Sequence, residues 1–515
     1  MMSIPEKLNM ADYFLDRHVR EGREFKIAVY YKNGKYTYSQ VQEMANRTGN
    51  ILLQLGVEME DRVLIALPDS IEFVGAFFAI LKIGAVVAMV NTILPPSDYE
   101  YYLNYTRAKV AIVHESVLDR FEQVRIECPH LRALLVVGKD DGKNPSFDQM
   151  LAGSSAILKN AETHRDDFAV WLFTSGTTGK PKGAVHFHHD FVYNTEHYAK
   201  QVLQINDLDV TLAVPKLFFG YATGTNLMFP FAVGATTALF EERSTSKTIF
   251  KMIQRYRPTI LTTVPTMIHA MLETEGAERE DLSCLRFAVS AGEALPPELY
   301  HRWKKTFGVE ILDGIGSAEL FHVYVSNRHN DVKPGSLGKL VPGYEARIVG
   351  VDGQDVADGE IGTLWVKGDS AAVFYWQAHE KSKEVLRGDW VVSGDLFRRD
   401  PEGYFWYAGR ADDMLKVGGV FVSPYEIENC MLQHEAVREV CVVGFADSEG
   451  LIKPKAFVVP EELYQPTVEL AEDLKNFVKE RLAPYKYPRF IQFMKELPKN
   501  DRGKIERKKL RDLQT

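Results

Sequence analysis

The sequence is poor in cysteine and carries no surplus of basic charge. Its four cysteines in 515 residues, Cys128, Cys284, Cys430 and Cys441, form no CxxC pair and are too sparse for a disulfide framework or a zinc site. They suit a reducing compartment, and a cytoplasmic location is expected. A net charge of -9 and a pI near 5.9 argue against the concentrated Lys/Arg surface by which nucleic-acid binders displace counterions from phosphates. The polar N-terminal segment lacks the apolar stretch and small-residue cleavage site of a secretory signal, so export is not expected. One stretch is long enough to tempt a membrane reading, FVGAFFAILKIGAVVAMV at 73–90, but Lys82 and Gly84 interrupt it. It reads better as a buried helix ending near the glycine, followed by a short Val-rich strand.

What is present is ordinary globular material, 45% hydrophobic and 25% charged, in a length that predicts more than one domain. Runs such as RVLIAL (62–67), VAIVH (110–114) and ALLVVG (133–138) alternate with amphipathic stretches such as SQVQEMANRTGNILLQLG (39–56), the pattern of layered α/β with parallel strands. After about residue 340, short strands separated by Gly- and Asp-containing turns predict a β-rich, barrel-like subdomain. After Arg410 the pattern changes to smaller helices and strands. The expected layout is a large domain over 1–410, with the β-rich subdomain at 340–410, and a small α+β domain over 411–515. The basic run KIERKKLRD near the end reads as a solvated helix face.

The strongest chemical signal is TSGTTGKPKG at 174–183, which follows the apolar run FAVWLF. Glycines let a backbone approach an anion with its N–H groups turned inward, hydroxyls of Thr174, Ser175, Thr177 and Thr178 can donate to phosphate oxygens, and Lys180 or Lys182 can offset charge on a departing pyrophosphate. No GxxxxGK[ST] is present, which disfavours P-loop ATPase or kinase chemistry.

This stretch resembles the signature loop of the adenylate-forming superfamily, which includes acyl-CoA synthetases, luciferases and peptide-synthetase adenylation modules. SAGEAL (290–295), DGIGSAE (313–319), WVVSGD (390–395), GRADDMLKVGG (409–419) and PKNDRGK (498–504) are similar to its later motifs, in the same order, so the likeness covers nearly the whole chain. It implies ATP, Mg2+ and coenzyme A as cofactors and co-substrates. It also implies a nucleotide and phosphate site formed by Thr174, Ser175, Gly176, Thr177, Thr178, Lys182, Gly292, Glu293, Asp313, Gly314, Ile315, Asp395 and Arg410. Glu319 would hold the magnesium that bridges ATP phosphates, a role suited to a hard carboxylate oxygen. Asp395 and Arg410 would meet the ribose. Lys504 would bring the attacking carboxylate and the α-phosphate together and stabilise the charge that builds on phosphorus. Asp412 would be the hinge of a mobile C-terminal domain, and Gly418 and Gly419 would lie against the pantetheine of CoA. Two positions depart from the pattern: Ile315 stands where an aromatic residue commonly stacks on adenine, and Ala318 where a threonine commonly contacts the α-phosphate.

Within the superfamily, KLFFGYATG (216–224) and DGIGSAELFHVYVSN (313–327) look most like benzoate:CoA ligases. That resemblance implies an acid pocket lined by Tyr221, Gly316 and His322, suited to a flat ring. An alicyclic or short unsaturated acid, or an acceptor other than CoA, is the alternative, as is a nucleotide-binding regulator without chemistry. Lys182, Glu319 and Lys504 would be superfluous in the last. The expected partners are small molecules, with no membrane insertion and either a monomer or a homodimer. The histidines of VHFHHDF, His186, His188 and His189, directly follow the phosphate loop and match a helix start that carries no metal in the family, with Asp190 as a helix cap.

Overall fold

Helix Ile71–Lys82 begins where Ser70 Oγ accepts a hydrogen bond from Phe73 N (3.3 Å), and the chain leaves it through Gly84, whose φ of +72° favours glycine. Every residue of this helix except Glu72 is buried, Lys82 included. The Lys82 ammonium lies 2.6 and 2.5 Å from the two carboxylate oxygens of Asp16, which also accept from the side-chain amides of Gln42 and Asn160. With its one buried charge satisfied inside the protein, the segment is a core helix, and strand Val86–Met89 follows it. Among the described residues no helix is long and apolar enough to cross a membrane.

The computed structural model describes residues 4–175, 180–410, 413–417, 420–446, 452–483, 485–499 and 505–513. Two large sheets form the first 340 residues and take in one later strand. In the first, Ala133–Val137, Val110–His114, Arg62–Ala66, Val86–Met89 and Phe168–Ser175 run parallel, and Pro181–Phe187 and Phe374–Tyr375 continue it antiparallel. In the second, Ile27–Tyr31, Thr236–Leu239, Val210–Ala213, Ile260–Thr263, Phe287–Ser290 and Ile311–Gly316 are parallel, and Val323–Ser326 returns antiparallel beside the last of them. A single core joins both sheets to helix Ile71–Lys82, with Val63, Val87 and Val170 from one sheet and Val29, Leu239 and Val289 from the other. This is the layered α/β arrangement that the alternation of runs predicts.

The β-rich segment after residue 340 is an antiparallel sheet of Glu345–Val349, Gly362–Lys367, Trp390–Arg399 and Leu386–Arg387, with Phe405–Arg410 paired to Trp390–Arg399. Beyond residue 413, strands Val437–Ala446, Ile452–Pro460 and Phe490–Phe493 and helices Pro424–Met431 and Val468–Arg481 share a separate core that includes Val442, Val458, Leu474 and Val478.

Replacing Lys82 with Met keeps the chain length at that site but strands the buried Asp16 carboxylate, so K82M is expected to cost about 3–5 kcal/mol, read as a lower urea midpoint. An unchanged midpoint would mean that Gln42 and Asn160 satisfy Asp16 by themselves.

Candidate active site

The described residues on either side of 176–179 pair as antiparallel strands. Thr174 pairs with Lys182 and Ser175 with Pro181 across strands Phe168–Ser175 and Pro181–Phe187, so Thr174 and Ser175 end a strand that runs parallel to Val86–Met89. Two tyrosines one turn apart on helix Pro96–Thr106 hold the returning strand. Tyr101 Oη donates to the Pro181 carbonyl (2.6 Å), while Tyr105 Oη accepts from Gly183 N (3.2 Å) and donates to the Trp376 carbonyl (2.5 Å). Lys180 Nζ lies 4.9 Å over the Tyr101 ring.

Beside this hairpin lies the turn that carries Glu319. Residues Ala318–Leu320 form one 3-10 turn, and each of its carbonyls is taken. Ala318 O accepts from His186 Nε2 (2.6 Å), Glu319 O from Ala372 N (2.7 Å), and Leu320 O from Ser370 Oγ (3.0 Å) and His322 N (2.8 Å). The bond from His322 N to Leu320 O closes a γ-turn that puts Phe321 at φ +66°, ψ -54°. For a phenylalanine this strain costs about 1–3 kcal/mol, held by the packing around it. The Glu319 carboxylate accepts from Tyr375 Oη (2.5 Å), and burial together with that carboxylate raises the Tyr375 phenol well above its ordinary value. The histidines divide their work. His188 Nδ1 accepts from Met10 N (3.1 Å), and burial pushes its pKa down to about 3, while Asp190 reaches back from the first turn of helix His188–Asn194 to Phe187 N (3.1 Å). Among the described residues no group of three or more His, Cys, Asp or Glu is arranged to hold a metal ion.

Asp395 and Arg410 face each other across the Trp390–Arg399 and Phe405–Arg410 strands, 3.6 Å apart as an ion pair, and a Cβ at Gly394 would come within 2.7 Å of the guanidinium. Both acidic groups, Glu319 and Asp395, raise the Tyr324 phenol after the larger effect of its burial, so the ribose and metal candidates share one neighbourhood. Gly292 occupies the turn after strand Phe287–Ser290 at φ +91°, beside Glu293. Gly314 and Gly316 lie in strand Ile311–Gly316, where a Cβ would fall 2.6 Å from Val325 O and 2.5 Å from His322 O, so the close antiparallel strand excludes any side chain. Ile315, between them, packs with Ala318 against the main core. Asp313 contacts protein atoms: Leu295 N donates to its Oδ2 (3.2 Å), and its carbonyl accepts from Asn327 N (2.9 Å) and Nδ2 (3.1 Å). Burial pushes its carboxyl up to about 8.

The three acid-pocket candidates come together. Tyr221 lies in the short helix Gly220–Thr223, and its carbonyl accepts from His322 Nε2 (3.0 Å), with the two rings 5.4 Å apart. Since Nε2 donates, Nδ1 is the bare nitrogen; burial pushes the pKa of the ring down to about 4, which keeps it neutral. His322 Nδ1 and Tyr221 Oη are both buried without a hydrogen-bond partner among the described residues. Tyr198, Phe229 and Phe321 surround the imidazole, and Gly224 lies against its edge.

The family profile of the AMP-binding enzymes matches residues 15–376, and that of the AMP-binding enzyme C-terminal domain matches residues 426–504. The chain belongs to the AMP-binding enzyme family. Among its relatives is a benzoate–CoA ligase of Thauera aromatica, 44% identical over 512 residues, or 99% of this chain and 97% of that one. A 4-hydroxybenzoate–CoA/benzoate–CoA ligase of Rhodopseudomonas palustris is 38% identical over 98% of this chain and 94% of its own length. The crystal structure of an anthranilate CoA ligase in complex with anthranoyl-AMP superposes with a TM-score of 0.95 at 41% identity, covering 99% and 98% of the two chains. That of a benzoate CoA ligase from Burkholderia xenovorans gives 0.90 at 41% identity, covering 98% and 100%.

In this AMP-binding enzyme Thr174 pairs with Lys182, Asp395 with Arg410 and Tyr221 with His322, and Glu319 lies on the turn between Gly316 and His322. Gly176, Thr177, Thr178, Asp412, Gly418, Gly419 and Lys504 lie outside the described residues, as does the side chain of Ser175. Sequence reasoning missed Tyr375, which bonds Glu319 from 56 positions away, and Tyr105, which reaches Trp376 across 271. The repeated tyrosines of YEYYLNY were the one available signal for the latter.

Between the ordinary carboxyl pKa and about 8, native Asp313 keeps a proton that the unfolded chain has released, so it makes stability fall as pH rises through that window. Asp313→Asn removes the penalty. The Tm of D313N relative to the parent is expected to climb from about pH 4 to about pH 8 and then level off. A difference that stays constant with pH would show that Asp313 folds as the carboxylate.

Proposed function

We propose that this chain is an AMP-forming aromatic acid:CoA ligase. It joins a small aromatic carboxylate, benzoate or a close relative, to ATP as the acyl-adenylate with loss of pyrophosphate, then passes the acyl group to the thiol of CoA with release of AMP. One observation carries this reading: Gly316 and His322, two of the three acid-pocket candidates, flank the turn that presents Glu319. An acid seated against them has its carboxylate next to the groups suited to phosphate. The relatives at 44% and 41% identity, whose names specify benzoate and anthranilate, support the acid class.

In the first step a carboxylate oxygen forms a bond to the α-phosphorus as the bond to pyrophosphate breaks, and the binding task is to hold two anions in line. The hairpin at 174–183 cradles phosphate oxygens, Asp395 and Arg410 take the ribose, and Ile315 offers adenine an aliphatic face in place of a ring. Lys504 supplies the ammonium for this step. In the second step the thiol sulfur attacks the acyl carbon and expels AMP, which requires Lys504 to leave. The small domain at 411–515 therefore turns about Asp412 relative to 1–410, and the Gly418–Gly419 loop then faces the pantetheine. The residues present fit a magnesium ion: Glu319 offers a hard carboxylate with one oxygen bonded to Tyr375, and the lack of a carboxylate cluster among the described residues suits an ion whose other ligands are phosphates and water. When bound with ATP, magnesium neutralises phosphate charge. Four free cysteines fit a cytoplasmic setting.

The test is AMP release with CoA present, over a panel of benzoate, hydroxy- and aminobenzoates, cyclohexenecarboxylate and short enoic acids. The benzoates are expected to lead in kcat/KM by at least about tenfold, since flat aromatic contacts favour a ring. A cyclohexenecarboxylate or enoic acid ahead of every benzoate would move the substrate to that class, and AMP without any thioester would remove CoA as acceptor. Lys504→Ala should abolish acyl-AMP formation and spare transfer from supplied acyl-AMP; equal loss of both would remove the role given to Lys504.

A further inference from the structure

His186 is fully buried, and both of its ring nitrogens face acceptors. Nδ1 lies 2.7 Å from Asp190 Oδ2 and Nε2 lies 2.6 Å from the Ala318 carbonyl. A carbonyl oxygen can only accept, so Nε2 donates; Asp190, which also receives Phe187 N and lies 3.2 Å from His189 Nε2, is the acceptor for Nδ1. The two ends of this chain of bonds belong to different parts of the molecule. Asp190 and His186 are set by the strand and helix that follow the phosphate hairpin, whereas Ala318 opens the turn of Glu319 on the other sheet. Ala318 has only a methyl group, so the turn has no side-chain hydroxyl there to fix it, and its carbonyl is tied from outside instead.

We propose that His186 is a positioning residue for Glu319. Oriented by Asp190, it holds the Ala318 carbonyl and so sets the rotation of the peptide that presents the Glu319 carboxylate to a metal–ATP complex. The inference rests on the reading of Glu319 as the carboxylate that meets this complex. Its physical basis is leverage. Tyr375 fixes the end of the Glu319 side chain and Ala372 its carbonyl, while His186 fixes the peptide before it, so loss of the His186 bond frees one rotation in an otherwise tied turn. Partners that orient a metal-binding carboxylate without touching the metal typically contribute 10- to 100-fold in affinity.

Two substitutions separate the two bonds. In His186→Gln the side-chain amide nitrogen takes the place of Nε2 and keeps the donor to Ala318; in His186→Asn it takes the place of Nδ1 and keeps only the donor to Asp190. The measurement is calorimetric binding of Mn2+–ATP without any acid, next to ATP with chelator. H186N is expected to weaken Mn2+–ATP binding about 10-fold or more while changing metal-free ATP binding by less than about twofold, and H186Q should stay within about threefold of the parent. Thioester formation from supplied acyl-AMP should survive in both. Equal weakening in H186N and H186Q, or unchanged Mn2+–ATP affinity with both half-reactions reduced together, would overturn the proposal. If H186N does not fold, His186→Met fills the same space without a donor and takes its place in the comparison. A parent protein that releases no AMP with any acid of the panel would instead overturn the proposed function, an outcome that the acid-free binding data distinguish.

Discussion

The site depends on one constraint: the backbone of the turn at 317–322 cannot move without breaking hydrogen bonds to two separate parts of the fold. The Ala318, Glu319 and Leu320 carbonyls are each held by a different partner, and the last bond forces Phe321 into a conformation that an L-residue rarely adopts. Such strain persists only where the surroundings over-determine it. Here a buried aromatic group, with Phe321 lying 3.9 Å from Phe191 between ring centroids, supplies that restraint.

The constraint matters because it couples two sheets that share one apolar core. The phosphate hairpin leaves the C-terminal end of Phe168–Ser175 in one sheet, and the Glu319 turn leaves the C-terminal end of Ile311–Gly316 in the other. Ligands of open parallel sheets gather at such ends, where loops diverge and backbone groups are free to turn toward an anion. The bond from His186 to Ala318 brings these two ends together, so the phosphate candidates of the first sheet and the acid candidates of the second lie beside one turn. The chemistry of acyl-adenylate formation asks for that juxtaposition, since two anions that repel each other must be held in line.

Much of this was legible in the sequence, for local reasons. The residues of 174–183 are contiguous, so their hydroxyls, glycines and lysines announce a phosphate loop wherever they fold. The alternation of Val-rich runs with amphipathic stretches follows from periods of two and 3.6 residues, and strands Arg62–Ala66, Val110–His114 and Ala133–Val137 fall within the runs that predict them. Lys82 and Gly84 mark the segment at 73–90 as a buried helix and strand rather than a membrane span, because a charge followed by a helix-ending glycine is a local signal too. The likeness of Glu319, Asp395 and Arg410 to family positions came from short motifs, and the fold brings those residues near one another.

The sequence by itself therefore determined which elements form and which short segments are candidates for phosphate, ribose and ring contacts, since each of those signals is written within about ten neighbouring residues. Only the tertiary structure decided what holds them. Tyr375 on Glu319, Tyr105 on the strand after the phosphate loop, His322 on the Tyr221 carbonyl and His186 on Ala318 join positions between 56 and 132 apart along the chain. A hydrogen bond across such separations leaves no spacing to read: its donor and acceptor are set by how elements distant in the chain pack together.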